Sequence, residues 1–151
     1  MKRFFQLFLI VAALSVIPFI GNAQCKNFAK KAKIELLPFI HDGIYNATVL
    51  SEGETAELYK TFYSGQQYRI AVVAEADMPK VEFKIMDAKR KVLYTNKEKD
   101  FAKTWDFTLE SSQQLIIAIQ VQTVEQLQSD IAKGCIAVLI GFMNEEDKIQ
   151  K

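Results

Sequence analysis

The sequence predicts a mainly β protein, an antiparallel, jelly-roll-like β-sandwich of about eight strands with one N-terminal helix packed on it. Three observations carry that expectation. From Ile44 onward apolar residues alternate with polar ones, the period of a strand with one wet face. The apolar runs are short and bounded by Gly, Ser, Asn and Asp, as in all-β folds. No strand–helix–strand rhythm is present from which a parallel sheet could be built.

The chain has 151 residues and opens on Met1-Lys2-Arg3, a short basic start, before the almost wholly apolar run from Phe4 to Ile20. Gly21-Asn22-Ala23 follows, with small residues at the positions a signal peptidase reads. Residues 1–23 are therefore expected to be a cleaved signal peptide, the apolar run falling short of the roughly 20 residues a spanning helix needs. Cys25 raises a minor alternative, a lipid anchor, because its position resembles a bacterial lipobox. Asn22 and Gln24 do not suit such a site. The protein is thus expected to be periplasmic or secreted, with no stable membrane span after cleavage.

Cleavage after Ala23 leaves 128 residues, the size of one domain, with 17 basic and 18 acidic side chains and a formal charge of −1. Such a chain has no net field with which to draw nucleic acid. Lys26, Lys30, Lys31 and Lys33 form a local basic patch, read as the solvated face of a helix.

The domain is expected over residues 24–143. Its helix is expected over 26–37, where Phe28, Ala29, Ala32 and Leu36 continue a stripe that starts at Cys25. Pro38 ends it by removing a donor and restricting Leu37. Asp42-Gly43 turns the chain. Strands are expected over 44–50, 55–63 and 67–73. Val81, Phe83 and Ile85 then alternate with Lys80, Glu82 and Lys84, and Asp87-Ala88-Lys89-Arg90 reverses the chain into a hairpin with 91–95. Residues 96–103 read as a loop, 104–109 as a half-buried strand, and 115–121, apolar on both faces except for Gln120, as a central strand. Thr123 with Gln126 has capping-box spacing, so a short helix or an irregular edge segment is expected over 123–133, with Gly134 able to end it. The last strand is expected over 135–142, and 144–151 is a polar tail.

That last strand has no wet face. Its even residues, Ile136, Val138, Ile140 and Phe142, are bulky, and its odd ones, Cys135, Ala137, Leu139 and Gly141, are smaller. Two apolar faces need two dry partners. The even face suits the sandwich core, and the odd face suits the helix. Cys25 and Cys135 then meet, and in an oxidising compartment they are expected to form a disulfide; two separately buried thiols are the alternative. Closing a loop of about 110 residues is worth roughly 4–5 kcal/mol on chain-entropy grounds.

The segments Tyr68-Arg69-Ile70-Ala71-Val72, Val81-Glu82-Phe83-Lys84-Ile85, Asp87, Val92-Leu93-Tyr94 and Trp105-Asp106-Phe107-Thr108 resemble the pre-peptidase C-terminal and GOLD-like jelly-roll domains. In overall character the chain is similar to uncharacterised exported proteins of the Bacteroidetes. The resemblance runs from about Thr55 to Val121. It implies a scaffold without catalytic residues to carry over.

Chemistry is sparse. The chain's one histidine, His41, lies near Asp42 and Ser51 in sequence, but nothing else marks a triad. One histidine and two distant cysteines do not make a zinc site. The acids Glu75 and Asp77, Glu98 and Asp100, and Glu145-Glu146-Asp147 lack the spacing of a calcium loop. No phosphate loop, nucleophile elbow or nucleotide fingerprint is present. No catalytic residue, metal ligand or cofactor is therefore expected. Tyr45 and Tyr59 are the candidate ligand-facing residues, Tyr59 because it shares parity with Thr55, Glu57 and Thr61. The expectation is a non-catalytic binding or structural module of the bacterial cell envelope, with a protein or glycan as partner. An inhibitor or accessory subunit of a secreted enzyme, and a small secreted hydrolase, are the alternatives. For an accessory role, 43–53 and 96–103 are the regions to inspect.

Overall fold

A computed structural model describes residues 21–124 and 131–144. Most of the expected signal peptide, the middle of the expected late helix and the tail from 145 lie outside the described residues. Helix α1 spans Gly21–Ala32 and passes into a 3-10 turn, Lys33–Leu36. It starts upstream of the expected Lys26. The stripe is as expected: Cys25, Ala29, Ala32 and Leu36 are buried, whereas Lys26, Lys30, Lys31 and Lys33 are exposed.

Among the described residues nine strands follow: β1 (Ile40–His41), β2 (Asn46–Ser51), β3 (Thr55–Phe62), β4 (Gln66–Ala74), β5 (Val81–Met86), β6 (Val92–Thr95), β7 (Thr104–Thr108), β8 (Gln113–Val121) and β9 (Lys133–Asn144). The expected eight are all present. The ninth, β1, is too short to show a period, and it forms because Ile40 and His41 run antiparallel to Phe142 and Gly141. Of the segment expected over 123–133, Thr123, Val124, Ile131 and Ala132 have no regular structure and Lys133 already opens β9, while 125–130 lie outside the described residues.

The strands make two antiparallel sheets. The five-stranded sheet runs β1-β9-β4-β7, with β2 alongside β1 on the same edge of β9; the four-stranded sheet runs β3-β8-β5-β6. β8 is central, as its two apolar faces predict. The hairpin of β5 and β6 pairs Lys84 with Thr95 and Ile85 with Tyr94.

Between the sheets lies the main core, where Ile136, Val138 and Ile140 of β9 meet Phe83 and Ile85 of β5, and Leu115, Ile117, Ile119 and Val121 of β8. Tyr94, Trp105 and Phe107 stack in sequence along it, with ring centroids 4.7 and 4.4 Å apart. A second, smaller core lies on the other side of the five-stranded sheet, where Ala29, Ala32 and Leu36 pack on Ala71, Val73, Ala137 and Leu139. The molecule is therefore three layers: helix, sheet, sheet.

Gly141 shows why the odd face is small. A Cβ there would lie 2.7 Å from Phe39 Cβ, so the chain leaving the helix can reach β9 only over a glycine. Arg69 fastens the same place. Its guanidinium donates to both carboxylate oxygens of Asp106 at 2.7 Å and to the Leu37 carbonyl at 2.6 Å, and it lies over the Phe39 ring.

Asn96 is a buried polar residue that the sequence hides in a charged loop. Its Oδ1 accepts from the Phe83 amide at 2.8 Å, and its Nδ2 donates to the Val81 and Ala102 carbonyls. One side chain thus ties β5 to the turn before β7.

Cys25 and Cys135 form a disulfide, with Cα atoms 5.2 Å apart and 110 residues of separation. It clamps the helix to the outer face of β9. Replacing both cysteines by serine is expected to lower the unfolding free energy by about 3–5 kcal/mol, read as a fall in the urea midpoint. An unchanged midpoint would show that the clamp does not constrain the unfolded chain.

Candidate functional site

The outer face of the four-stranded sheet is the first candidate surface, because it carries Tyr59. The strict alternation of β3 sends Thr55, Glu57, Tyr59 and Thr61 outward. By register Glu57 stands beside Ala118 and then Lys84, and Tyr59 beside Ile116 and then Met86. This face is less wet than the sequence predicts. Glu82, Ile116 and Met86 all point outward yet are buried.

Two polar arrangements account for that. The turn between β5 and β6 is built on Asp87, whose Oδ1 accepts the Lys89 and Lys91 amides at 2.8 and 2.9 Å. The turn holds Arg90 at φ 63°, in the left-handed region. From there its guanidinium makes two hydrogen bonds to the Glu57 carboxylate, at 2.8 and 2.9 Å. Since β8 lies between β5 and β3, the Arg90 side chain must cross it, beside Ile116 and Met86. The Tyr59 hydroxyl donates to Glu57 Oε2 at 2.8 Å and accepts from Arg90 at 3.3 Å. In the second arrangement Glu82 is held by Lys84 at 3.0 Å, by Lys97 at 3.8 Å and by the Gln122 amide at 3.3 Å. A cavity of about 300 Å³ opens above Ala118, walled by Thr55, Glu57, Glu82, Lys84 and Gln120.

Tyr45 lies on a different surface. Its ring packs against His41, with centroids 4.4 Å apart, and it borders a groove of about 340 Å³ between the free edges of β2 and β3. Leu58, Ile119, Ile136 and Val138 floor that groove, so the main core shows through it. Glu57 lines both openings, which makes the β3 edge their shared rim.

A third surface lies away from both Tyr45 and Tyr59. The β3–β4 turn places Tyr63, 63% exposed, at one end of the sandwich. Gly65 supplies the φ of +82° that this turn requires. The turn is tied down twice. The Ser64 amide donates to Ser112 Oγ, in the β7–β8 turn, at 3.0 Å, and the Tyr63 amide donates to the Tyr68 hydroxyl at 3.0 Å. The Tyr68 ring is itself buried edge-on against Phe62. An exposed aromatic residue on a fixed backbone is what the turn presents. The only sequence signal was the Ser64-Gly65 pair, which marks a turn but not its tethers.

His41 and Asp42 are neighbours, with Nε2 3.8 Å from Oδ1, and Asp42 also binds Lys60 at 2.8 Å. Ser51 is far from them. It pairs with Lys133 at one end of β9, whereas His41 pairs with Gly141 near the other, so no triad forms. Glu75 accepts the Cys135 amide at 2.8 Å, and Asp100 binds Lys80 at 3.3 Å. Among the described residues no three His, Cys, Asp or Glu side chains gather as a metal site would require. Nor, among them, is any helix long and apolar enough to cross a membrane.

The Arg90 and Tyr59 hydrogen bonds hold the Glu57 carboxyl below the ordinary glutamate range. Glu57 in turn raises the Tyr59 hydroxyl above the usual tyrosine value. A depressed carboxylate supports the fold above its ordinary pKa and loses that support as pH falls through its lowered value. Carboxyl-detected NMR titration is expected to find Glu57 ionising below the ordinary glutamate range, and the Arg90→Ala variant is expected to move it upward. Equal values in the two proteins would mean that the crossing is absent in solution.

No protein-family model matches the chain, and no curated protein does either. A solved structure of similar fold is that of PliG from Aeromonas hydrophila, a periplasmic lysozyme inhibitor of g-type lysozyme. It has a TM-score of 0.50 and 9% identity, over 70% of this chain and 89% of that one. The likeness lies in the β-sandwich itself. The sequence resemblance to pre-peptidase C-terminal and GOLD-like domains therefore holds as far as a jelly-roll-like sandwich and not as membership of those families.

Proposed function

We propose that this protein is a non-catalytic binding module of the bacterial cell envelope, and that its partner is a protein met by the turn end carrying Tyr63. The carrying observation is that turn: a tyrosine 63% exposed, on a backbone fixed by hydrogen bonds to Ser112 and Tyr68. Tyrosine supplies a large contact area at little cost in side-chain entropy, and a backbone already held in place loses little more on association. Location outside the cytoplasm is supported by the apolar N-terminal run and by the disulfide, a bond that persists where thiols are oxidised.

A narrower reading makes the partner a secreted hydrolase and this chain its inhibitor or accessory subunit. The fold shared with a lysozyme inhibitor favours it over a purely structural role. The enzyme reading has no comparable support, since His41 and Ser51 stand apart and the ionisable groups of the outer face are already paired.

Calorimetric titration of the oxidised protein into g-type lysozyme, with a parallel cell-wall lysis assay, tests the narrower reading. Saturable binding and slower lysis are expected, with Tyr63→Ala weakening both by about 30-fold, the scale of an interface hot spot. An absence of binding would remove the inhibitor reading for that enzyme class. Binding unaffected by Tyr63→Ala would move the contact away from this turn.

A further inference from the structure

We propose a second site, independent of the Tyr63 turn, on the outer face of the four-stranded sheet: the cavity above Ala118 is a subsite for an uncharged saccharide, with the neighbouring Tyr59 ring as the surface on which the saccharide stacks where it extends past Glu57. The cavity lies at the Thr55 end of β3, whereas Tyr63 follows the other end of the same strand.

The shape comes from one small residue. On the outward face of β8, Ala118 stands between Ile116 and Gln120, and its cross-strand neighbours are the long side chains of Glu57 and Lys84. A short side chain among long ones leaves a depression of about 300 Å³, with walls that can reach a ligand's edges.

The walls determine the chemistry. Glu57 and Glu82 offer acceptors, Lys84 and the Gln120 amide offer donors, and Thr55 offers both. A sugar hydroxyl both donates and accepts, so a ring bearing several matches a wall of mixed character. An ionic ligand does not. The two carboxylates are already faced by Arg90, Lys84 and Lys97, so an anion meets Glu57 and Glu82 while a cation meets the three basic groups. The carboxylates are also held still. Glu82 is 4% exposed and Glu57 is gripped by two guanidinium hydrogen bonds, so neither needs to be ordered when a ligand arrives.

Tyr59 completes the site. It does not line the cavity itself, but it is half-exposed one outward position along β3 from Glu57, and its hydroxyl is anchored to that wall residue, so a ligand reaching past Glu57 meets the ring. An aromatic face next to convergent polar groups can pack on the C–H surface of a sugar while its hydroxyls are hydrogen-bonded.

The test is amide NMR of the oxidised protein titrated with chitotetraose and, in parallel, maltotetraose, with sodium acetate as an ionic control. One or both saccharides are expected to shift the Glu57, Lys84 and Ala118 amides saturably, with a Kd near the millimolar range as suits one open cavity. Ala118→Leu, which fills the depression, and Tyr59→Ala are each expected to weaken binding by about tenfold or more. Tyr63→Ala should leave it unchanged, which separates this site from the protein-binding turn. If Ala118→Leu disturbs the fold, seen as shifts throughout the sheet, Glu57→Gln with Tyr59→Ala decides. No saturable shift with either saccharide, shifts that survive these variants, or acetate binding in the same place would overturn the proposal.

Discussion

Everything in this fold is arranged around β9, a strand that has to be dry on both sides. Ile136, Val138 and Ile140 each bury an aliphatic side chain in the sandwich core, worth about 2 kcal/mol apiece when fully covered. Of its odd residues Cys135, Ala137 and Gly141 are small, so they contribute less by area and more by shape. They let a helix approach closely enough for Cys25 to reach Cys135 and for Phe39 to lie against Gly141. A sheet alone cannot satisfy such a strand, because one of its faces would remain exposed to water. The helix is thus a required third layer, and the disulfide and the Arg69–Asp106 pair hold its two ends in place.

With β9 fixed, the rest of the sandwich takes its positions by pairing. β4 lies on one edge of β9, and β1 and β2 share the other, which leaves β2 with a free edge. In the second sheet β3 has a free edge too, and the groove bordered by Tyr45 opens between the two. The surfaces with functional promise are those left over after the core is built: a tethered turn at one end, a groove at an open edge, and a cavity where a long strand carries an alanine.

The two-face logic of β9, the helix and the disulfide were readable in the sequence because each rests on local periodicity, the two cysteines lying one on each of two matching apolar stripes. So was the outward parity of Tyr59. What the sequence concealed depended on distant partners. Glu82 sits at a position that period two assigns to solvent, and it is buried because Lys84, Lys97 and Gln122 converge on it from three segments. Asn96 looks like one more polar loop residue until its bonds to Phe83, Val81 and Ala102 are seen. Arg90 is a turn residue by sequence, yet its guanidinium acts two strands away, on Glu57. Tyr63 differs from any tyrosine beside a turn only through the tethers of that turn, its own amide to Tyr68 and the Ser64 amide to Ser112.

Native-state hydrogen exchange tests the central role of β9 most directly. Residues 136–138 pair with β2 on one side and β4 on the other, beneath two apolar layers, so their amides should be the slowest in the protein and should exchange only on global unfolding. In the reduced protein their protection should fall together with that of α1. If those amides exchanged as fast as the edge strands β6 and β7, or if α1 could be released without affecting them, the three-layer account would be wrong.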